Sequence, residues 1–292
     1  MRLLILAAAL AASLGAASPA AAAPFESDRI SVTVQGSGPD VILVPGLTSS
    51  PRIWQDLAAA IPGHRYHFVQ VHGFAGTPAG GNATGDVAAP VATEIARYVR
   101  EQQLTAPALI GHSMGGTIGL MVAARHPEAL GRLMVVDMVP FLGVFFGGPD
   151  ATVETVRPIA ARMEAAAATK SPAEREAERV AMIGTMVKTE AARAGPAEDA
   201  ARSDPAVVAA AYRELMLTDL RPELKAIRAP TTVLYVRPPA LPVSDAQMDG
   251  FYQTAFTGLP SVRLVRVPDA WHFIMLDQPA RFQQEVRSFL RP

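Results

Sequence analysis

The 292-residue sequence contains no cysteine. Such a chain forms no disulfide, binds no metal through thiolates and uses no cysteine nucleophile, so its stability depends on a packed core. The sequence also lacks a long run of charges of one sign, and its formal net charge is −1. This balance does not favour binding to nucleic acid or to an anionic membrane surface.

Apolar residues, by contrast, are abundant. They make up 50% of the sequence, whereas charged residues make up 18%. A chain of this length and composition can bury a sizeable core, either as one large α/β domain or as two small domains. It has no internal repeat and no low-complexity tail.

The N-terminus has the pattern of a secretory signal peptide. Arg2 is followed by an apolar stretch at residues 3–14 and by small residues that end at 20–23. A membrane anchor is the alternative, but the apolar stretch is shorter than the roughly 20 residues that a membrane span needs. We therefore predict that residues 1–23 are a signal peptide, cleaved within 20–23. The mature protein is then periplasmic or secreted and has no integral membrane span.

The remaining sequence alternates between strand and helix patterns before residue 138 and after residue 229. This alternation predicts an α/β protein with a mostly parallel, doubly wound sheet. Residues 138–228 contain no convincing strand, and a capping box at 171–174 is typical of a helix start. We predict a core formed by residues 24–137 and 229–292, with 138–228 inserted as a helical lid.

A serine lies between glycines at the junction of a predicted strand and a predicted helix. The segment reads Gly-His-Ser-Met-Gly, with Ser113 at its centre. In this strand–turn–helix context the motif is typical of a nucleophile on a sharp turn. The helix N-terminus also favours the negative charge that develops in acyl transfer. A phosphate-binding turn or a plain connector is the alternative.

A serine nucleophile needs a base whose pKa lies near 7, which is the range of histidine. His272 follows the last predicted strand and precedes the last helix. A buried structural histidine is the alternative interpretation. His112 is adjacent to Ser113 in sequence, but it belongs to the turn, and we predict that it points away from the hydroxyl.

Acyl transfer also needs two donors for the oxyanion. Pro45 and Gly46 end a predicted strand, so the N–H groups that follow open towards the same edge of the sheet. We predict the backbone N–H groups of Leu47 and Met114 as the oxyanion hole. A simple turn into a helix is the alternative.

In the order and spacing of these three motifs, the chain resembles the α/β-hydrolase family from about Arg29 to its C-terminus. The resemblance implies the α/β-hydrolase fold and serine-based chemistry on a small molecule, and it implies no metal and no organic cofactor. It does not specify the substrate. The family's oxyanion loop usually begins with His-Gly, whereas this chain has Pro-Gly. The change keeps the backbone donors but removes a side chain that often braces the loop.

The sequence leaves more than one carboxylate as the acid of the triad. The family usually places it a few residues after the strand that here reads TTVLYV, and no carboxylate stands there. Some members place it one strand earlier, where Asp137 follows LMVV. We favour Asp137. Asp245 is the alternative acid, although a capping box of Ser244 and Gln247 would place it in a helix. The remaining possibilities are Asp249, Asp269 or no acid.

Phenylalanines at the start of the predicted lid indicate an apolar substrate. Phe141, Phe145 and Phe146, together with Trp54, would line a pocket for an apolar acyl or aryl group. Alternatively, they pack the lid onto the core. The sequence therefore predicts an exported carboxylic ester hydrolase. A lactonase, thioesterase, iminopeptidase or cofactor-free perhydrolase would use the same triad, and a non-catalytic binding protein is the rival of another class. The oligomeric state is not predicted.

Overall fold

The computed structural model describes residues 24–238 and 241–291. The predicted signal peptide, residues 1–23, lies outside this part of the chain. No helix within the described ranges is long and apolar enough to cross a membrane.

A seven-stranded sheet forms the centre of the protein. Its strand order is β1-β3-β2-β4-β5-β6-β7; β1 is antiparallel to β3, and all other neighbours are parallel. This confirms the predicted mostly parallel sheet. The strands are β1 (Ile30–Gly36), β2 (Asp40–Val44), β3 (Arg65–Val71), β4 (Ala108–His112), β5 (Arg132–Val136), β6 (Thr231–Tyr235) and β7 (Val262–Arg266).

The central strands are short apolar runs because both of their faces are covered. Ile42 and Val44 of β2 belong to one core cluster, and Val41 and Leu43 belong to a second cluster across the sheet. Helices pack on both faces and make the sheet doubly wound. The helices outside the β5–β6 connection are α1 (Gln55–Ala60), α2 (Ala88–Glu101), α3 (Met114–Arg125), α9 (Asp245–Ala255), α10 (Ile274–Asp277) and α11 (Pro279–Leu290).

The register aligns the carboxyl ends of four neighbouring strands. Val44 pairs with Gly111, and Val136 is paired with both His112 and Leu234. The residues that directly follow β2, β4, β5 and β6 therefore meet at one edge of the sheet, where ligands bind in folds of this kind.

The connection between β5 and β6 is helical, and residues 137–230, all of which are described, contain no strand. We call residues 138–228 of this connection the helical insertion. A predicted capping box is present at Ser171 and Glu174. That the insertion acts as a lid stays a prediction. Its helices are α4 (Val144–Gly147), α5 (Val153–Ala168), α6 (Pro172–Met186), α7 (Ala194–Ala201) and α8 (Pro205–Leu217).

Candidate active site

Ser113 occupies the sharp turn between β4 and α3. Its backbone has φ 54° and ψ −121°, a region that non-glycine residues rarely adopt. Two hydrogen bonds hold this conformation: Ser113 N–H donates to Val136 O at 2.9 Å, and Gly116 N–H donates to Ser113 O at 2.8 Å. A strained residue of this kind persists where its surroundings over-determine it, and such residues cluster at functional sites.

The glycines of the motif allow this turn to form. A Cβ atom on Gly111 would lie 2.1 Å from Gly115 O, and one on Gly115 would lie 2.2 Å from Val44 O. Both contacts are with backbone, which cannot move aside as a flexible side chain can. The turn therefore packs directly against the end of β2.

The predicted oxyanion donors lie on segments that adjoin Ser113. A Cβ atom on Gly46 would lie 3.0 Å from the Cβ of Ser113, so the segment that carries Leu47 passes beside the predicted nucleophile. Met114 is the first residue of α3. The first N–H groups of a helix have no partner within the helix and point out of its N-terminus. Both predicted N–H donors thus come from the region around the serine.

His272 and Asp137 form a direct hydrogen bond. His272 Nδ1–H donates to Asp137 Oδ2 at 2.6 Å, and the two side chains are 22% and 10% exposed. The other carboxylate oxygen accepts from Val236 N–H at 3.1 Å and lies 3.5 Å from the Tyr252 hydroxyl. Burial, aided by the charge of Asp137, raises the pKa of Tyr252 well above its usual value, so this hydroxyl keeps its proton.

The alternative acids lie elsewhere and have other partners. Asp245 is in the first turn of α9, as its capping box predicted, and forms ion pairs with Arg237 and Arg266. Asp249 bonds to Tyr235 and to Arg266, and Asp269 is 77% exposed. Of the carboxylates considered from the sequence, Asp137 is the one hydrogen-bonded to His272.

The side chain of His112 contacts the loop of His272. Its Nε2–H donates to the backbone carbonyl of His272 at 3.0 Å, and the two imidazole rings are 4.6 Å apart. Burial, aided by the nearby His272, lowers the pKa of His112 well below its ordinary value. His112 is therefore a neutral donor that connects the serine turn to the histidine loop.

The four predicted pocket residues differ in solvent exposure. Trp54 is fully buried and stacks on Phe282, 6.1 Å away, and Phe141 is 1% exposed within a cluster of the helical insertion. The pocket prediction is corrected for these two residues, because they offer a substrate no accessible surface. Phe145 is 45% exposed and Phe146 is partly buried, so both stay candidates.

Sequence reasoning missed two buried carboxylates of the helical insertion. Asp199 and Glu214 are 1% and 5% exposed. Glu214 lies between Ala211 and Leu215 on the buried side of α8. The sequence signal that could have identified Glu214 is a charged residue at the helical spacing of an apolar face. In the described part of the chain, no three histidine, aspartate or glutamate side chains are grouped to hold a metal ion.

Comparison with known proteins agrees with this architecture. The chain is 32% identical over 113 residues to a pimeloyl-(acyl-carrier protein) methyl ester esterase of Aeromonas hydrophila, covering 38% of this chain and 42% of that protein. An esterase of the same name from Aromatoleum aromaticum is 26% identical over 270 residues, covering 82% and 94%. Several curated relatives are matched over only 37% to 42% of their length.

The fold is also found in solved structures. The enol-lactonase of Burkholderia xenovorans LB400 superposes with a TM-score of 0.69 at 19% identity, over 89% of this chain and 96% of that one. At this identity the likeness shows the fold alone. The family model described as Alpha/beta hydrolase family matches residues 41–285, which is most of the sequence. The chain therefore belongs to the alpha/beta hydrolase family.

Proposed function

We propose that the protein is a serine hydrolase that cleaves small carboxylic esters through an acyl-enzyme. The observation that carries the proposal is the 2.6 Å bond from His272 to Asp137, whose neighbour Val136 accepts the backbone N–H of Ser113. A base oriented by a carboxylate, at the sheet edge where the serine turn lies, is the arrangement that supports activation of a hydroxyl.

In the proposed mechanism, Ser113 Oγ attacks the ester carbonyl carbon while His272 Nε2 takes the hydroxyl proton. Asp137 holds the Nδ1–H tautomer of His272 and stabilises the imidazolium that forms. The N–H groups of Leu47 and Met114 bind the oxyanion of the tetrahedral intermediate. His272 then protonates the leaving alcohol, and the same steps with water release the carboxylic acid.

An apolar acyl or aryl group is the proposed substrate feature. Phe145 supports it, since this residue is 45% exposed and lies 5.3 Å from Phe251. Phe145 belongs to the helical insertion and is exposed, whereas Phe251 belongs to α9 and is partly buried. Such an aromatic pair can contact an apolar group without offering hydrogen bonds. Relatives named as methyl ester esterases support an ester as the bond that is cleaved. We also propose that the helical insertion covers the site as a lid.

The nucleophile is tested with a fluorophosphonate probe. We expect the probe to label Ser113, and Ser113→Ala to abolish both labelling and turnover of a short p-nitrophenyl ester without loss of folding. Ser31→Ala, which removes an exposed hydroxyl of β1, is the matched control and should behave as wild type. Turnover at the wild-type rate in Ser113→Ala would refute the proposal. A panel of esters of graded acyl length, with a lactone and a thioester, then defines the substrate class.

Export is proposed from residues 1–23. We expect mass spectrometry of the periplasmic or secreted protein to find an N-terminus between residues 21 and 24. An uncleaved chain in the cytoplasm would contradict export.

A further inference from the structure

The helical insertion is hydrogen-bonded to the loop that carries Leu47, one of the two proposed oxyanion donors. We call residues 45–50, which follow β2, the oxyanion loop. Asp199 of α7 is 1% exposed, and its Oδ2 accepts from both the backbone N–H of Ser50 at 2.9 Å and the Ser50 hydroxyl at 2.6 Å. These contacts join residues 149 positions apart in sequence.

Arg52 balances the charge of Asp199. Arg52 Nη2 lies 3.1 Å from Oδ1 of Asp199, in an ion pair whose angles do not make a hydrogen bond. The same guanidinium bonds to the exposed Glu198 at 2.8 Å. A buried carboxylate is costly unless it is paired and hydrogen-bonded. Ser50, at the end of the oxyanion loop, supplies the hydrogen bonds, and Arg52, two residues beyond the loop, supplies the ion pair.

Ser203 makes a second connection two residues beyond α7. Its Oγ accepts from Ala75 N–H at 2.9 Å and lies 3.3 Å from the carbonyl oxygen of Thr48 and 2.8 Å from that of Asp199. The next residue, Asp204, donates its N–H to Gly73 O at 2.7 Å. The insertion therefore contacts the loops after β2 and after β3, which are neighbouring strands.

The residues held in this way have strained backbones. Thr48 has φ 64° and Ala75 has φ 50°, and both bond to Ser203 or lie against it. A non-glycine residue keeps a positive φ where neighbouring groups enforce it. The oxyanion loop also begins with Pro45-Gly46 and so lacks the bracing side chain that the family often places there.

We propose that Asp199 and Ser203 are positioning residues that hold the oxyanion loop, so that the insertion sets the location of the Leu47 N–H. The inference rests on the proposed function, because it concerns the oxyanion hole of that reaction. The missing brace within the loop is replaced by a carboxylate and a hydroxyl from the insertion. Neither residue touches the substrate; both act through the backbone of residues 47–50.

The kinetic test compares three variants of the mature full-length protein. We expect Asp199→Ala and Ser203→Ala to lower kcat by about tenfold to hundredfold with KM changed less than about twofold, because a misplaced donor weakens transition-state binding. Glu198→Ala is the matched control, since it removes a neighbouring carboxylate with the same Arg52 partner and should leave kcat near wild type.

Inhibition by a boronic acid distinguishes a misplaced oxyanion donor from a general loss of stability. Its tetrahedral adduct with a serine presents an oxygen to the oxyanion hole, so its Ki should rise in parallel with the loss of kcat/KM in both variants. Wild-type kcat in both variants, or a lowered kcat with an unchanged Ki, would overturn the proposal. If Asp199→Ala does not fold, the kcat of Ser203→Ala and its Ki for the boronic acid decide the proposal.

Hydrogen exchange tests the contact independently of activity. Amides of residues 46–50 should exchange faster in Asp199→Ala than in wild type or in Glu198→Ala. Unchanged protection there would overturn the positioning role. If the wild-type protein neither hydrolyses esters nor labels at Ser113, the proposed function fails, and the exchange experiment alone still decides whether Asp199 holds the loop.

Discussion

At the scale of single residues, the site depends on two strained positions that the sheet itself supports. Ser113 and Asp137 each follow a parallel strand directly and have φ 54° and 51°. In both cases the backbone N–H bonds to the neighbouring strand, Ser113 to Val136 O at 2.9 Å and Asp137 to Leu234 O at 2.7 Å. Each such residue costs about 1–3 kcal/mol, which the surrounding strands offset.

The role of Asp137 can be tested with a pair of isosteric changes. We expect Asp137→Asn to lower kcat by about 10⁴-fold, because an amide does not stabilise the imidazolium and favours the wrong tautomer of His272. Asp245→Asn should leave kcat near wild type, since Asp245 is paired with Arg237 and Arg266 rather than with His272. Steady-state kinetics with thermal melts as folding controls measure both. A collapse of kcat in Asp245→Asn alone would reassign the acid.

At the scale of elements, the helical insertion contributes to the stability of the core. Glu214 of α8 accepts from the N–H groups of Val87, Ala88 and Ala89 at 2.7, 2.6 and 2.8 Å. These residues form the N-terminus of α2, which has no side-chain cap of its own. A buried carboxylate there satisfies N–H groups without partners in the helix and complements the helix dipole.

Removing this contact should destabilise the protein without altering its chemistry. We expect Glu214→Ala to lower the free energy of unfolding by about 3 kcal/mol, because two buried N–H groups and one partly buried N–H group lose a charged acceptor. The kcat of the folded variant should stay near wild type, since α2 supplies no group to the site. Glu223→Ala, which breaks an exposed ion pair with Arg125, should cost less than about 1 kcal/mol. Equal losses in urea denaturation would contradict this account.

At the scale of the whole molecule, buried neutral histidines make stability depend on pH. Burial lowers the pKa of His112 and of His67, and for His67 a hydrogen bond to Asp40 offsets part of the effect. His67 is 2% exposed and also contacts the Tyr98 hydroxyl through Nδ1 at 2.6 Å. Both folded pKa values therefore lie below that of an unfolded histidine, which is about 6.5.

The sign of the effect follows from proton binding. Between the folded pKa and about pH 6.5, the unfolded chain binds a proton that the folded chain does not, so the free energy of unfolding falls as the pH falls. We expect a slope of up to about 1.4 kcal/mol per pH unit for each histidine below pH 6.5, and little contribution from these residues above it. Denaturation at a series of pH values measures the slope, and His67→Gln should reduce it. A slope that is the same in His67→Gln would show that His67 does not contribute.

Much of the architecture follows from local sequence patterns. Apolar runs bounded by turns specify the strands, and the capping box at 171–174 specifies the start of α6, which is observed at Pro172–Met186. The serine turn is likewise local, because its glycines and the hydroxyl lie within five consecutive residues. Export and the lid stay predictions.

Contacts between distant segments were decided only by the tertiary structure. The sequence alone left Asp137 and Asp245 as rivals, because both follow neighbouring strands; the packing of α9 directs Asp245 to arginines and leaves Asp137 against His272. Trp54 could not be assigned to the core from composition, since a large aromatic residue fits a pocket wall equally well until its neighbours are known. The role of Asp199 did not follow from the sequence, because its partner Ser50 lies 149 residues away.

The sequence by itself determined the elements and their order, because periodicity and turn residues act over short distances. The pairing of side chains required the folded chain, because it depends on which surfaces meet.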